Sequence, residues 1–141
     1  MTVVVDASVA LQWILQEQDT EAALALWDRW QETAEWVIAP PLFRPEVANA
    51  LHQMVRREHI SRFDARDLLD VLMSAVATVE PSGLYNRALA MASELGLGST
   101  YDAVYLALAE SEECEVWTAD RRLYRSVRER LRYVRLIGEI S

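Results

Sequence analysis

Lysine is absent. All 14 basic residues of this 141-residue chain are arginine, which excludes a phosphate-loop lysine, Schiff-base catalysis and a Ser–Lys dyad. Cysteine occurs once, at Cys114, so neither an intramolecular disulfide nor a multi-cysteine zinc site is available. Two histidines, His52 and His59, leave little scope for a His-rich metal centre. No apolar run approaches the ~18–20 residues that span a bilayer. The start, Met1-Thr2-Val3-Val4-Val5-Asp6, lacks the positive region of a signal peptide. A lone thiol suits a reducing compartment. The expected location is cytoplasmic, with no membrane partner.

What is present describes one domain, expected to span residues 1–141. At ~100–200 residues per domain the length allows no more, and a chain of this size buries roughly two-thirds of its unfolded surface. With 52% hydrophobic and 26% charged residues, the composition is that of a folded globular protein. The net charge of −8 is unevenly distributed. Residues 121–135 carry seven arginines against one acid, a local charge of +6, whereas residues 1–120 carry seven arginines against 20 acids, or −13. The basic segment is either a solvated final helix and strand or a local phosphate contact, with Arg121, Arg122 and Arg125 as the candidates.

Short strand signals, at Thr2–Val5, Trp36–Ala39, Ala77–Glu80, Glu115–Thr118 and Tyr133–Ile137, alternate with longer stretches of helical period. Ala22, Leu26 and Trp30 recur at four-residue spacing, as do Val47, Leu51 and Val55, and Leu68, Leu72 and Val76. Ala88–Leu95 and Ala103–Ala109 complete the helical set. Turns are predicted at Pro40-Pro41, Pro81-Ser82-Gly83 and Gly96-Leu97-Gly98. This alternation predicts a three-layer α/β/α fold: a mainly parallel sheet of about five short strands, with helices on both faces. Ligands of such folds bind outside the carboxyl edge of the strands.

Four acids fall at that edge. Asp6 follows the first strand and Asp120 follows Val116-Trp117-Thr118-Ala119. Glu46 sits near the start of the helix after Trp36–Ala39, and Asp102 stands just before an Ala/Leu-rich helix. Each is also a plausible helix cap or dipole partner: Asp6 or Ser8 for the first helix, Ser99 with Asp102 as a relative of the capping box. Geometry couples two of them. A helix from Asp102 to Glu113 rises ~18 Å, and the return strand to Ala119 covers roughly 17 Å, which brings Asp120 back to the level of Asp102. If the four converge, two carboxylates at ~5 Å repel by about 3 kcal/mol at an effective dielectric of 20. Raised pKa values or a divalent cation would relieve that repulsion. Oxygen-only ligands suit Mg²⁺ or Mn²⁺, and such a site performs metal-assisted phosphodiester hydrolysis.

These residues resemble a family. Val4-Val5-Asp6-Ala7-Ser8, the helix start Glu46-Val47-Ala48-Asn49-Ala50-Leu51, Ser99-x-x-Asp102-Ala103 leading into Tyr105-Leu106-Ala107-Leu108-Ala109, and Thr118-Ala119-Asp120 are similar to the PIN domain. Within it they most resemble the VapC toxins of toxin–antitoxin pairs, in order from residue 2 to about 124. The resemblance implies a Mg²⁺- or Mn²⁺-dependent ribonuclease, with Asp6, Glu46, Asp102 and Asp120 as its acidic quartet and Ser8, Ser99 and Thr118 as polar support. It also implies an RNA substrate, a small antitoxin that enters the acidic pocket, and a homodimer.

Other readings stand beside it. A non-catalytic PIN-like module binding RNA or protein would keep the same fold. A phosphotransfer domain would use a lysine beside the phosphoryl group, and none exists here. Trp27 and Trp30 fall on an amphipathic stripe that, with Leu24 and Leu26, is the candidate for an antitoxin-facing or dimer surface. His52 and His59 are expected at the surface, and Cys114, between Glu113 and Glu115, is expected to be inert.

Overall fold

Three consecutive valines near the start set the architecture. In the computed structural model, which describes residues 1–16 and 18–139, strands β1 (Thr2–Val5), β2 (Trp36–Ala39), β3 (Ala77–Thr78), β4 (Glu115–Thr118) and β5 (Val134–Leu136) form one sheet. The order is β3-β2-β1-β4-β5, and every pairing is parallel. Val4 of the central strand pairs with Ile38 on one side and Val116 on the other. Successive strand side chains point to opposite faces, yet Val3, Val4 and Val5 are all buried. Both faces are therefore covered by helices, and the chain is a three-layer α/β/α fold.

Seven helices among the described residues supply those layers: α1 (Ala7–Gln12), α2 (Thr20–Glu32), α3 (Phe43–Arg56), α4 (Arg62–Ala75), α5 (Leu84–Glu94), α6 (Tyr101–Ser111) and α7 (Arg121–Val127). α6 is apolar on all sides, and Ala103 through Ala109 are buried without interruption. A helix of that kind belongs in the interior; its polar first turn, at Asp102, is where it reaches the sheet edge. The chain runs from β1 outward through β2 to β3, then returns past β1 to β4 and β5. With right-handed crossovers these two passes lie on opposite faces, so the sheet has its switch point between β1 and β4. A crevice at that point is the expected ligand position of an open parallel sheet.

The scarcity of glycine shows at the helix ends. α2, α3 and α6 each stop at a left-handed residue that is not glycine: Ala34 (φ 55°), Glu58 (φ 60°) and Glu113 (φ 52°). Each is followed by the long closing bond of a Schellman turn: Glu35 N to Trp30 O, His59 N to Met54 O, and Cys114 N to Ala109 O. α5 uses glycine for this, at Gly96, where Leu97 N bonds Ala92 O.

Two expectations are corrected here. The third strand is shorter than Ala77–Glu80: Val79 N still reaches Ala39 O, but the chain then turns into Pro81, which has no N–H to offer a ladder. The tryptophan stripe of α2 is mostly core. Trp30 is 3% exposed and packs edge-on against Trp117 at 6.2 Å and Trp13 at 6.4 Å, while Trp27 meets Trp13 at 4.8 Å with the rings tilted by 59°. Leu26 is buried as well, which leaves Leu24 as the exposed member. No helix among the described residues is long and apolar enough to cross a membrane.

Candidate functional site

All four candidate acids stand at helix N-termini that rise from the carboxyl edge of the sheet. Asp6 is the N-cap of α1 and Asp120 the N-cap of α7, immediately after β1 and β4. Glu46 and Asp102 occupy the first turns of α3 and α6. The cap reading and the site reading therefore describe one placement. The positive ends of four helices face the same edge and favour negative charge there.

Asp6 is the most enclosed of the four. Its Oδ1 accepts from Ser8 Oγ at 2.5 Å and from Val9 N at 3.1 Å. Ser8 Oγ in turn accepts from Ala119 N at 2.9 Å and lies 3.4 Å from Thr118 Oγ1, which accepts from Asp120 N at 3.0 Å. Ser8 and the buried Thr118 thus join the ends of β1 and β4 and hold Asp6 and Asp120 in one frame. Asp120 Oδ1 accepts from Arg122 N at 3.0 Å and Leu123 N at 3.1 Å, and its side chain is open to solvent. The Glu46 carboxylate accepts from Tyr105 Oη at 2.5 Å. Asp102 is half-buried, and among the described residues its carboxylate accepts no hydrogen bond from the protein.

Electrostatics place Asp102 at the centre. Its charge acts on Asp6 and on Glu46, and it feels that of Asp120. Burial pushes Asp6 up to about 6, against the hydrogen bonds from Ser8, Thr118 and Val9 that favour its charged form. Burial is also the leading cause of the upward shifts at Glu46 and Asp102; the charge of Asp120 follows it at Asp102, whereas at Glu46 the opposing hydrogen bond from Tyr105 outranks the charge of Asp102. Loss of water, more than mutual repulsion, is what raises these groups. That corrects the sequence argument, which made repulsion decisive.

Among the described residues, no three Asp, Glu, His or Cys side chains stand close enough to share one ion in this conformation. The acids are a chain of coupled carboxylates around Asp102, not a closed cage. Oxygen donors used singly or in pairs, with water completing the shell, are the manner in which Mg²⁺ is ordinarily held. On donor chemistry the residues fit a hard dication.

A cleft of about 450 Å³ opens beside Asp102 and Asp120, lined also by Gly96-Leu97-Gly98, Ser99, Arg122 and Ser126. Ser99 is exposed on its rim and bonds neither Asp102 nor the helix. The N-cap of α6 is Thr100, one residue later, and its side chain makes no capping bond, so the expected capping-box relative does not form. Arg122 lines the cleft, Arg125 is exposed on the same helix, and Arg121 is drawn aside to Asp19 at 3.3 Å. The site member not singled out from the sequence is Tyr105. The available signal was its spacing: three residues after Asp102, on the same helical face.

The remaining candidates lie elsewhere. His52 and His59 are exposed. Cys114 lines a hollow of about 700 Å³ beside the first residues of β1 and β4, with Met1, Trp30, Glu35 and Tyr133. Burial there pushes its thiol up to about 11, so it is unreactive at neutral pH.

The family model of the PIN domain matches residues 3–129. Ribonuclease VapC9 of Mycobacterium tuberculosis and VapC ribonuclease Mb0985 of Mycobacterium bovis are each 34% identical over 122 residues, covering 86% of this chain and 87% of the relative. The crystal structure of PAE2754 from Pyrobaculum aerophilum superposes with a TM-score of 0.73 at 26% identity, over 97% of this chain and 90% of that one. A toxin–antitoxin complex from Klebsiella pneumoniae shares the fold at a TM-score of 0.70 and 16% identity, over 98% of this chain and 99% of its own.

Proposed function

The chain belongs to the PIN domain family and, within it, to the VapC ribonucleases, and from that premise we propose that it is the metal-dependent endoribonuclease toxin of a toxin–antitoxin pair. The observation that carries this reading is that Asp6, Glu46, Asp102 and Asp120 stand at four helix N-termini along the carboxyl edge of one parallel sheet and are linked through the charge of Asp102. Asp6, Glu46, Asp102 and Asp120 are the residues that would hold Mg²⁺ or Mn²⁺, which when bound would activate a water and neutralise charge on the scissile phosphate.

The chain's own residues do the positioning. Ser8 and Val9 fix Asp6, and Thr118 ties the Asp120 backbone to the end of β4. Asp102, whose carboxylate accepts no protein hydrogen bond among the described residues, is the one left open to a cation or to water. Arg122 on the cleft rim receives a neighbouring RNA phosphate, with Arg125 and Arg121 behind it on α7. This local basic patch lets an acidic body approach RNA. The reading includes a cognate small antitoxin that covers the cleft, a homodimer, and a cytoplasmic location. The Klebsiella pneumoniae neighbour is a toxin–antitoxin complex, which supports the antitoxin.

The test is incubation of the purified chain with structured and single-stranded RNAs, with and without Mn²⁺, beside an Asp102→Asn control. Cleavage that needs Mn²⁺, stops with EDTA and vanishes in the variant supports the reading; cleavage that survives Asp102→Asn overturns the assignment. One observation favours a second reading, a module that binds without cutting: the carboxylates are spread, with no three in reach of one ion. Such a module gains no thermal stability from Mn²⁺, whereas the nuclease does.

A further inference from the structure

Tyr105 is buried, 4% exposed, within a helix whose other interior residues from Ala103 to Ala109 are all apolar. A phenylalanine would fill the same space without bringing a hydroxyl out of water, and a buried hydroxyl is costly unless it is bonded. Here the bond is specific. Tyr105 Oη donates to Glu46 Oε1 at 2.5 Å, across 59 residues of sequence, and joins α6 to the first turn of α3. Tyr105 also lies one turn beyond Asp102, so a single face of α6 carries the Asp102 carboxylate to the cleft and a hydroxyl to Glu46.

We propose that Tyr105 is a positioning residue: its hydroxyl holds the Glu46 carboxylate in one orientation, so that Oε2 faces the site beside Asp102. This rests on the nuclease reading above. Glu46 needs such help more than its partners do. Asp6 and Asp120 have short side chains pinned by backbone N–H groups of their own helices. Glu46 has a longer, more rotatable side chain, and α3 has no side-chain cap to anchor its first turn. Tyr105 Oη is the protein donor to Glu46 among the described residues. A phenol donating to a carboxylate takes up one lone pair of Oε1 and leaves Oε2 free. Partners that orient a metal-binding group in this manner shift affinity or activity by roughly 10–100-fold when lost.

The experiment compares wild type, Tyr105→Phe, Glu46→Gln and the double variant. Two quantities are read: the Mn²⁺ concentration giving half-maximal thermal stabilisation, and RNA cleavage as a function of Mn²⁺. Tyr105→Phe is expected to move the Mn²⁺ midpoint upward by about tenfold or more, with cleavage largely restored at saturating Mn²⁺. In the Glu46→Gln background the same change is expected to move the midpoint no further, because the hydroxyl acts through the Glu46 carboxylate. An unmoved midpoint in Tyr105→Phe, or additive losses in the double variant, overturns the positioning role while leaving the nuclease reading intact. A wild type that neither responds to Mn²⁺ nor cuts RNA overturns both. A Tyr105→Phe protein that fails to fold without metal assigns the hydroxyl to the core and overturns the proposal.

Discussion

The hydroxyls of Ser8 and Thr118 lie 3.4 Å apart although 110 residues separate them. They meet where β1 and β4 end side by side, and Ser8 uses the meeting twice more, donating to Asp6 and accepting from Ala119 N. Ser8→Ala would strip the Asp6 carboxylate of its shortest donor and orphan a backbone N–H. The expected loss is about 1–3 kcal/mol of metal-free stability, measured by urea unfolding at neutral pH. A change below a few tenths of a kcal/mol would mean that water replaces the hydroxyl without cost.

The metal-free protein should become less stable as pH rises. Asp6 has its ordinary value of 3.8 raised to about 6 by burial, so between those values the folded state binds more protons than the unfolded one. The corresponding stability is complete below about pH 4 and is lost as pH passes about 6, an effect on the order of 3 kcal/mol. Burial raises Glu46 and Asp102 in the same direction. In EDTA, Asp6→Asn should flatten this part of the profile relative to wild type. Added Mn²⁺ should stabilise more at pH 7 than at about pH 5, because its ligands must first lose their protons. A wild type and variant with parallel profiles would show that Asp6 titrates normally.

Asp120 separates capping from chemistry. Its Oδ1 satisfies two backbone N–H groups of α7, a task asparagine performs about as well and alanine cannot. Asp120→Asn should therefore keep stability within about 0.5 kcal/mol, while Asp120→Ala loses roughly 1 kcal/mol. Both should lose RNA cleavage by about 100-fold, the scale on which removal of one electrostatic contact acts at a reaction site. Full activity in Asp120→Asn would leave this acid as a cap alone.

How far the sequence revealed this arrangement depends on the kind of signal. The strands were legible because β-branched runs such as Val3-Val4-Val5 admit few other readings, and the acids because each follows a strand or opens a helix. The helix stops at Ala34, Glu58 and Glu113 carried no glycine to mark them; their left-handed turns are seen only in the backbone bonds that close back to Trp30, Met54 and Ala109. The stripe of Trp27 and Trp30 has the period of any amphipathic helix, and period alone does not say whether the apolar face meets a partner or the chain's own Trp13 and Trp117. Tyr105 was hidden for a similar reason. Inside an apolar helix an aromatic residue reads as packing, and its hydroxyl acquires meaning only when α3 brings Glu46 to it.

Arg122 is uncommitted where Arg121 beside it is not. Arg121 is engaged by Asp19, and Arg87, on the far helix pair, is held by Glu110 through Nε at 2.7 Å and Nη2 at 3.0 Å. The Arg122 guanidinium forms no ion pair among the described residues and lines the cleft with Asp102 and Asp120. A phosphate contact releases counterions, so its removal is visible in the salt dependence of binding. In an Asp102→Asn background, where RNA stays intact, Arg122→Ala should weaken binding across sequences and flatten the slope of log affinity against log salt by about 0.7 for single strands. Arg121→Ala should do less, since its loss also frees Asp19, and Arg87→Ala should leave the slope unchanged. Fluorescence anisotropy at several salt concentrations measures all three. An Arg122→Ala slope equal to that of the parent would mean that the RNA backbone enters the cleft from another side.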